Sequence, residues 1–138
     1  MRNRDLAADY VRRAEVRLRA IEVLFEAESW ADVVRESQEA VELALKGLLR
    51  RVGVDAPRIH DVSEVLIAER DRLPTDLAGR VEELAAVSRE LRRDRELAFY
   101  GAEDLTPSSF YSRDDAVRAF DGVRLVVTAV SPVVPNGD

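Results

Sequence analysis

The sequence predicts an all-α protein, an antiparallel up-and-down bundle of four to five helices. Three observations predict it. Apolar residues recur at steps of three and four along nearly the whole chain. The breaks between these stretches are short and carry Gly, Pro, Asp or Ser. Only one segment could be a strand by composition, and no partner strand accompanies it. At 138 residues the chain has room for one domain, residues 1–138, with a core large enough to fold without staples.

In the first element Leu6, Tyr10, Ala14, Leu18, Ile21 and Phe25 form one apolar stripe on a helix of about six turns. Arg12, Arg13, Glu15, Arg17, Arg19 and Glu22 fall largely off it. Ser29, with Asp32 three residues on, opens a second helix in the manner of a capping box. Trp30, Val34, Val41, Leu45 and Leu48 are flanked by Val33, Ala40, Leu43 and Ala44. So much of this helix is apolar that it should be the central one. Arg50 and Arg51 suit the negative end of its dipole, and Gly53 suits its C-terminal cap.

After the Asp55-Ala56-Pro57 loop, Asp61 and Glu64 read as the capping pair of a shorter third helix with Val62, Val65, Leu66 and Ala68. Leu73-Pro74-Thr75 breaks the chain. A fourth helix then carries Leu77, Val81, Leu84, Ser88 and Leu91 and runs into a charged stretch, 89–96. From Tyr100 to Tyr111 the sequence reads as a loop, with Gly101, Pro107, Ser108 and Ser109 as turn residues. Ser112 and Asp115 cap a fifth helix with Ala116, Phe120, Val123, Val127 and Val130. Pro132 and Pro135 stop it near Ser131, and residues 131–138 are expected to form a frayed tail.

Composition excludes much chemistry. There is no cysteine, hence no disulfide, thiolate metal site or cysteine nucleophile. His60 is the single histidine, so neither HExxH nor the paired ExxH of a di-iron bundle can occur. No P-loop or GxGxxG is present, and neither a metal nor a cofactor is expected. No apolar run reaches the roughly 20 residues of a membrane span. The charged start is unlike a signal peptide, so the expectation is a soluble, cytoplasmic domain.

The net charge of −6 argues against a general coating of nucleic acid. Of the 21 basic residues, every one but Lys46 is arginine. Four of these arginines, Arg89, Arg92, Arg93 and Arg95, fall within seven residues. On a helix the first three share a face and Arg95 lies on another. Such a run is most simply a solvated helix face. Its functional alternative is a phosphate-binding patch ending near Tyr100. Glu42 and Lys46, at i and i+4, form a helix ion pair in the simplest reading. His60 beside Asp61 reads as a capping or loop-packing residue.

Several of these features coincide in one resemblance. Gln38-x-Ala40-x-Glu42-x-x-x-Lys46 is followed by Gly53, Pro57 and His60-Asp61-Val62. Tyr10 with Ala14 in the first helix and Tyr111-Ser112-x-x-Asp115-Ala116 before the last complete the pattern. Over about residues 5 to 130 the sequence resembles the HEPN domain, a family of small prokaryotic helical bundles often found beside minimal nucleotidyltransferases. The resemblance implies a homodimer with the fourth-helix region near its interface.

Active members are metal-independent ribonucleases that carry an Arg, four to six intervening residues, and then a His. The Arg would stabilise charge on the scissile phosphate and the His would move protons. A related form adds a Tyr two residues after the His, which accepts adenylyl groups. In one frame here Arg93 aligns, Ala98 stands in place of the His, and Tyr100 takes the Tyr position. In the other, Arg95 aligns and Tyr100 replaces the His. Neither frame supplies an imidazole, and a tyrosine with a pKa of about 10 is a poor general base at neutral pH.

The expectation is therefore a nucleotide- or RNA-binding module, or a nucleotidyltransferase partner, in a toxin–antitoxin-like setting. Arg89, Arg92, Arg93 and Arg95 would be the ligand-binding residues and Tyr100 a modification candidate. An active metal-independent endoribonuclease using Arg93, Arg95 and Tyr100 as catalytic residues is one alternative. A non-catalytic dimeric scaffold is another.

Overall fold

The computed structural model describes residues 2–55, 61–100 and 110–135, with side chains for 5–55, 61–94 and 110–135. Among the described residues six α-helices follow one another: α1 (Arg2–Glu26), α2 (Trp30–Arg51), α3 (Val62–Ala68), α4 (Thr75–Ala78), α5 (Val81–Tyr100) and α6 (Arg113–Val130). Single 3₁₀ turns occupy Arg70–Arg72 and Ser131–Val133. Among the described residues there is no strand, and no helix is long and apolar enough to cross a membrane. The valine-rich segment is helical, since its valines face the core from one side of α6.

The long helices α1, α2, α5 and α6 form the bundle, and short α3 packs on α5 and α2. As its all-round apolar pattern demands, α2 is central: half of its 22 residues are buried, and it touches α1, α3, α5 and α6. Gly47 lets α1 approach it. A Cβ there would sit 2.7 Å from Val11 Cγ2 and 3.0 Å from the Ala7 carbonyl oxygen. The buried line of α1 is Ala7, Val11, Ala14 and Ile21, with Leu18 and Phe25 packed at its edge. It is offset by one position from the stripe expected at Leu6 and Tyr10, because the small side chains allow the close contact with α2.

The predicted caps divide in three. Ser112 and Asp115 form a full capping box, each side chain accepting from the other's backbone N–H. Asp61 caps α3 by accepting from the backbone N–H of Ser63. Ser29 instead donates its hydroxyl to Asp32 at 2.6 Å and leaves the backbone of α2 uncapped. Glu28, at φ 59°, makes the tight turn from α1, and Gly53, at φ 84°, ends α2 as expected.

Two boundaries move. Leu77 belongs to a separate turn of helix, α4, and the long helix begins only at Val81, after Gly79 and Arg80. The start of the expected frayed tail is held: Ser131 donates to Glu15 at 3.0 Å and Val134 is only 3% exposed. Residues 136–138, His60 and most of the expected 100–111 loop lie outside the described residues.

Candidate phosphate-binding site

The arginine cluster rides on α5, whose buried line of Val81, Leu84, Ser88 and Leu91 fixes its rotation about its axis. That rotation sends the described charged side chains of residues 89–94 in three directions. Toward α3, Arg89 Nε donates to Ser63 Oγ at 3.2 Å, and that hydroxyl donates to Asp61 Oδ1 at 2.8 Å. The same carboxylate oxygen accepts from the Ser63 backbone N–H at 3.0 Å and faces Arg92 Nη1 at 3.6 Å. Asp61 is thus both the cap of α3 and the hub that ties two of the four candidate arginines to it. Arg89 and Arg92 act first as fasteners between α5 and α3.

Toward α6, Glu90 and Asp94 face Arg118, which lies 3.9 Å from Glu90 and donates to Asp115 Oδ1 at 2.6 Å. A cavity of about 40 Å³ between Val87, Glu90, Leu91, Asp94, Arg118, Ala119 and Gly122 separates the helices there. Its size suits one or two waters, not a nucleotide. Burial pushes the Asp94 carboxyl up from its ordinary value, and Glu90 and Asp115 add to the effect. Arg93 and Arg118 pull the other way without cancelling it. The Tyr111 hydroxyl donates to the Asp94 carbonyl at 3.1 Å, fixing this stretch of α5 from the far side.

Between the two flanks Arg93 is exposed and makes no ion pair or hydrogen bond among the described residues. The helix continues to Tyr100, so positions 93 and 100 share a face about two turns, or ~10.5 Å, apart. Arg95 and Tyr100 lie on this helical backbone. Their side chains, and His60, fall outside the described residues.

Elsewhere Gln38 donates to Glu42 at 2.9 Å, and Glu42 meets Lys46 at 4.0 Å. The lone lysine is an ion-pair partner along α2. Among the described residues no group of three metal-binding side chains comes together. The roles of Ser63 and Arg118 had no signal in the sequence. Ser63 is 26 residues from Arg89, and Arg118 reaches Glu90 only through the packing of α6 on α5.

The fold and this geometry define an all-α bundle in which one helix, pinned on both sides, presents an outward arginine. The sequence matches the HEPN domain family over residues 7–133, and the chain belongs to that family. Curated proteins and solved structures gave no match.

Proposed function

We propose that this HEPN-domain chain is a binding module that grips a few phosphates of RNA or of a nucleotide at the outer face of α5. Arg93 and Arg95, on different faces of the helix, are the proposed phosphate ligands, and Tyr100 shares the face of Arg93 two turns on. The module acts as a homodimer and as the partner of a minimal nucleotidyltransferase, for which Tyr100 is the residue open to modification. The observation that carries this reading is the division of labour on α5. Arg89 and Arg92 are engaged by Asp61 and Ser63, whereas Arg93 is exposed and unpaired among the described residues. A guanidinium held out from a rigid helix is well suited to a phosphate's oxygens.

Titration of a fluorescent RNA oligonucleotide at low salt tests it. Saturable binding is expected. Arg93→Ala should weaken it by about 1–2 kcal/mol, roughly 5–30-fold. Arg89→Ala should lower the melting temperature more than it lowers affinity. A wild-type chain that binds neither RNA, nor mononucleotide, nor a nucleotidyltransferase overturns the reading. Metal-independent RNA cleavage lost in Arg93→Ala and in Tyr100→Phe would replace it with the endoribonuclease.

A further inference from the structure

The flank of α6 turned away from α5 carries a different surface. Arg118, Ala119 and Gly122 border the small cavity on the α5 side. Val117, Phe120, Asp121 and Arg124, at three- and four-residue steps, form the other flank and face α1. There Glu22, Phe25 and Glu26 meet them across an open groove of about 400 Å³. That volume falls in the range of small-molecule sites. The floor of the groove is aromatic. Phe120 is buried, Phe25 is partly buried, and their ring centroids lie 5.3 Å apart. Phe25 also meets Trp30 edge-on, with centroids 5.2 Å apart.

The rim of the groove is charged. Glu22, Glu26, Asp121 and Arg124 are exposed, and none makes an ion pair or hydrogen bond among the described residues. Carboxylates by themselves would be an ordinary solvated face. Arg124 supplies a second, independent observation. Its guanidinium lies 3.8 Å from the centre of the Phe120 ring. The chain's own cation thus already occupies an aromatic face of this groove by cation–π attraction. Three carboxylates against one guanidinium still leave two negative charges over.

We propose that this groove binds a linear aliphatic polyamine, with its methylenes on the Phe25, Val117 and Phe120 floor and its ammonium groups on the carboxylates. A hydrated metal ion gains nothing from an aromatic floor, and among the described residues no group of three metal-binding side chains forms. A neutral apolar ligand would leave the carboxylates unanswered. Glu22 and Glu26 stand one turn apart, about 6 Å along α1, and a chain of four methylenes separates two ammonium groups by a similar length. Asp121 stands on the α6 wall, where the third ammonium of a longer triamine meets it. The ammonium nearest Phe120 takes the place of the Arg124 guanidinium, whose long side chain swings out into water. The site lies across α6 from the arginines of α5 and needs neither them nor a phosphate ligand.

The chain has one tryptophan, and Trp30 adjoins the groove through Phe25, so its fluorescence is a built-in reporter. Titration of the full chain with spermidine, putrescine, butylamine and magnesium chloride at constant ionic strength is the test, with calorimetry reading the same binding where the tryptophan is silent. Saturable binding is expected with spermidine, weaker binding with putrescine, and far weaker binding with butylamine or magnesium. Glu22→Gln with Glu26→Gln should weaken spermidine binding about tenfold, through the loss of two exposed ion pairs. Arg124→Gln should tighten it about threefold, because the resident cation no longer competes for Phe120. Arg13→Gln removes the same charge elsewhere on α1 and should leave it unchanged. Helical circular dichroism confirms that each variant is folded. Spermidine that fails to bind by either readout, that magnesium matches, or that binds the double glutamine variant as well as wild type overturns the proposal. So does tighter binding of an arginine-bearing peptide, which would give the groove to a protein segment.

Discussion

Asp94 sits where burial, Glu90 and Asp115 all oppose its negative charge, and where Arg93 and Arg118 only partly compensate. Its carboxyl therefore holds a proton to higher pH in the folded chain than in the unfolded one. Across that interval the folded state binds more protons. The associated stability is full at low pH and is lost as pH rises from the ordinary aspartate value of about 4 through the raised one. Asp94→Asn keeps the shape and removes the charge. It should raise the melting temperature at pH 7 and leave it unchanged near pH 3, as followed by circular dichroism. A lower melting temperature at pH 7 would mean that the carboxylate's attraction to Arg118 outweighs its burial. Nothing in the sequence marked Asp94 out, because Asp115 and Arg118 reach it from α6, more than twenty residues away along the chain.

The helices tell a different story, because most of what fixes them is local. The central place of α2 was legible since a helix apolar all round has to be covered all round. The Ser112 box was legible for the same reason, its two partners lying three residues apart. Ser29 and Asp32 have the same spacing, yet the hydroxyl satisfies the carboxylate and not the backbone. The break before α5 was hidden because Leu77 and Val81 keep helical phase across it. Contact between elements is less legible still, and Gly47 is the clearest case. Alanine there would gain about 1 kcal/mol of helix propensity. Its methyl would meet the Ala7 carbonyl oxygen and Val11 Cγ2, forcing α1 outward at a cost of about 1–3 kcal/mol. A backbone carbonyl cannot swing aside, so Gly47→Ala should destabilise on balance in urea denaturation. Gly79→Ala, whose Cβ would meet nothing closer than 3.9 Å, should be neutral or stabilising by about 0.4–1 kcal/mol.

At the scale of the whole molecule, charge decides what kind of phosphate site this chain can have. The arginine run was legible as a cluster, but its partition was not. Asp61 and Ser63 take Arg89 and Arg92 out of the patch from another helix, which no spacing within α5 could announce. What remains is Arg93 on one face of α5 and Arg95 on another, on a chain of net charge −6. A broad basic surface would release many counterions on binding RNA. Two arginines should release few, with log K falling by about 0.7 per phosphate for each tenfold rise in salt. The expected slope for single-stranded RNA is therefore about −1.4, and Arg93→Ala should bring it to about −0.7. Repulsion from the surrounding carboxylates slows encounter most at low salt, so the slope should flatten there and not steepen. Anisotropy titrations at several salt concentrations would measure it. A slope several times steeper would mean that RNA spreads over other arginines, Arg12, Arg13 and Arg19 of α1 among them. In that case Arg93→Ala would change it little.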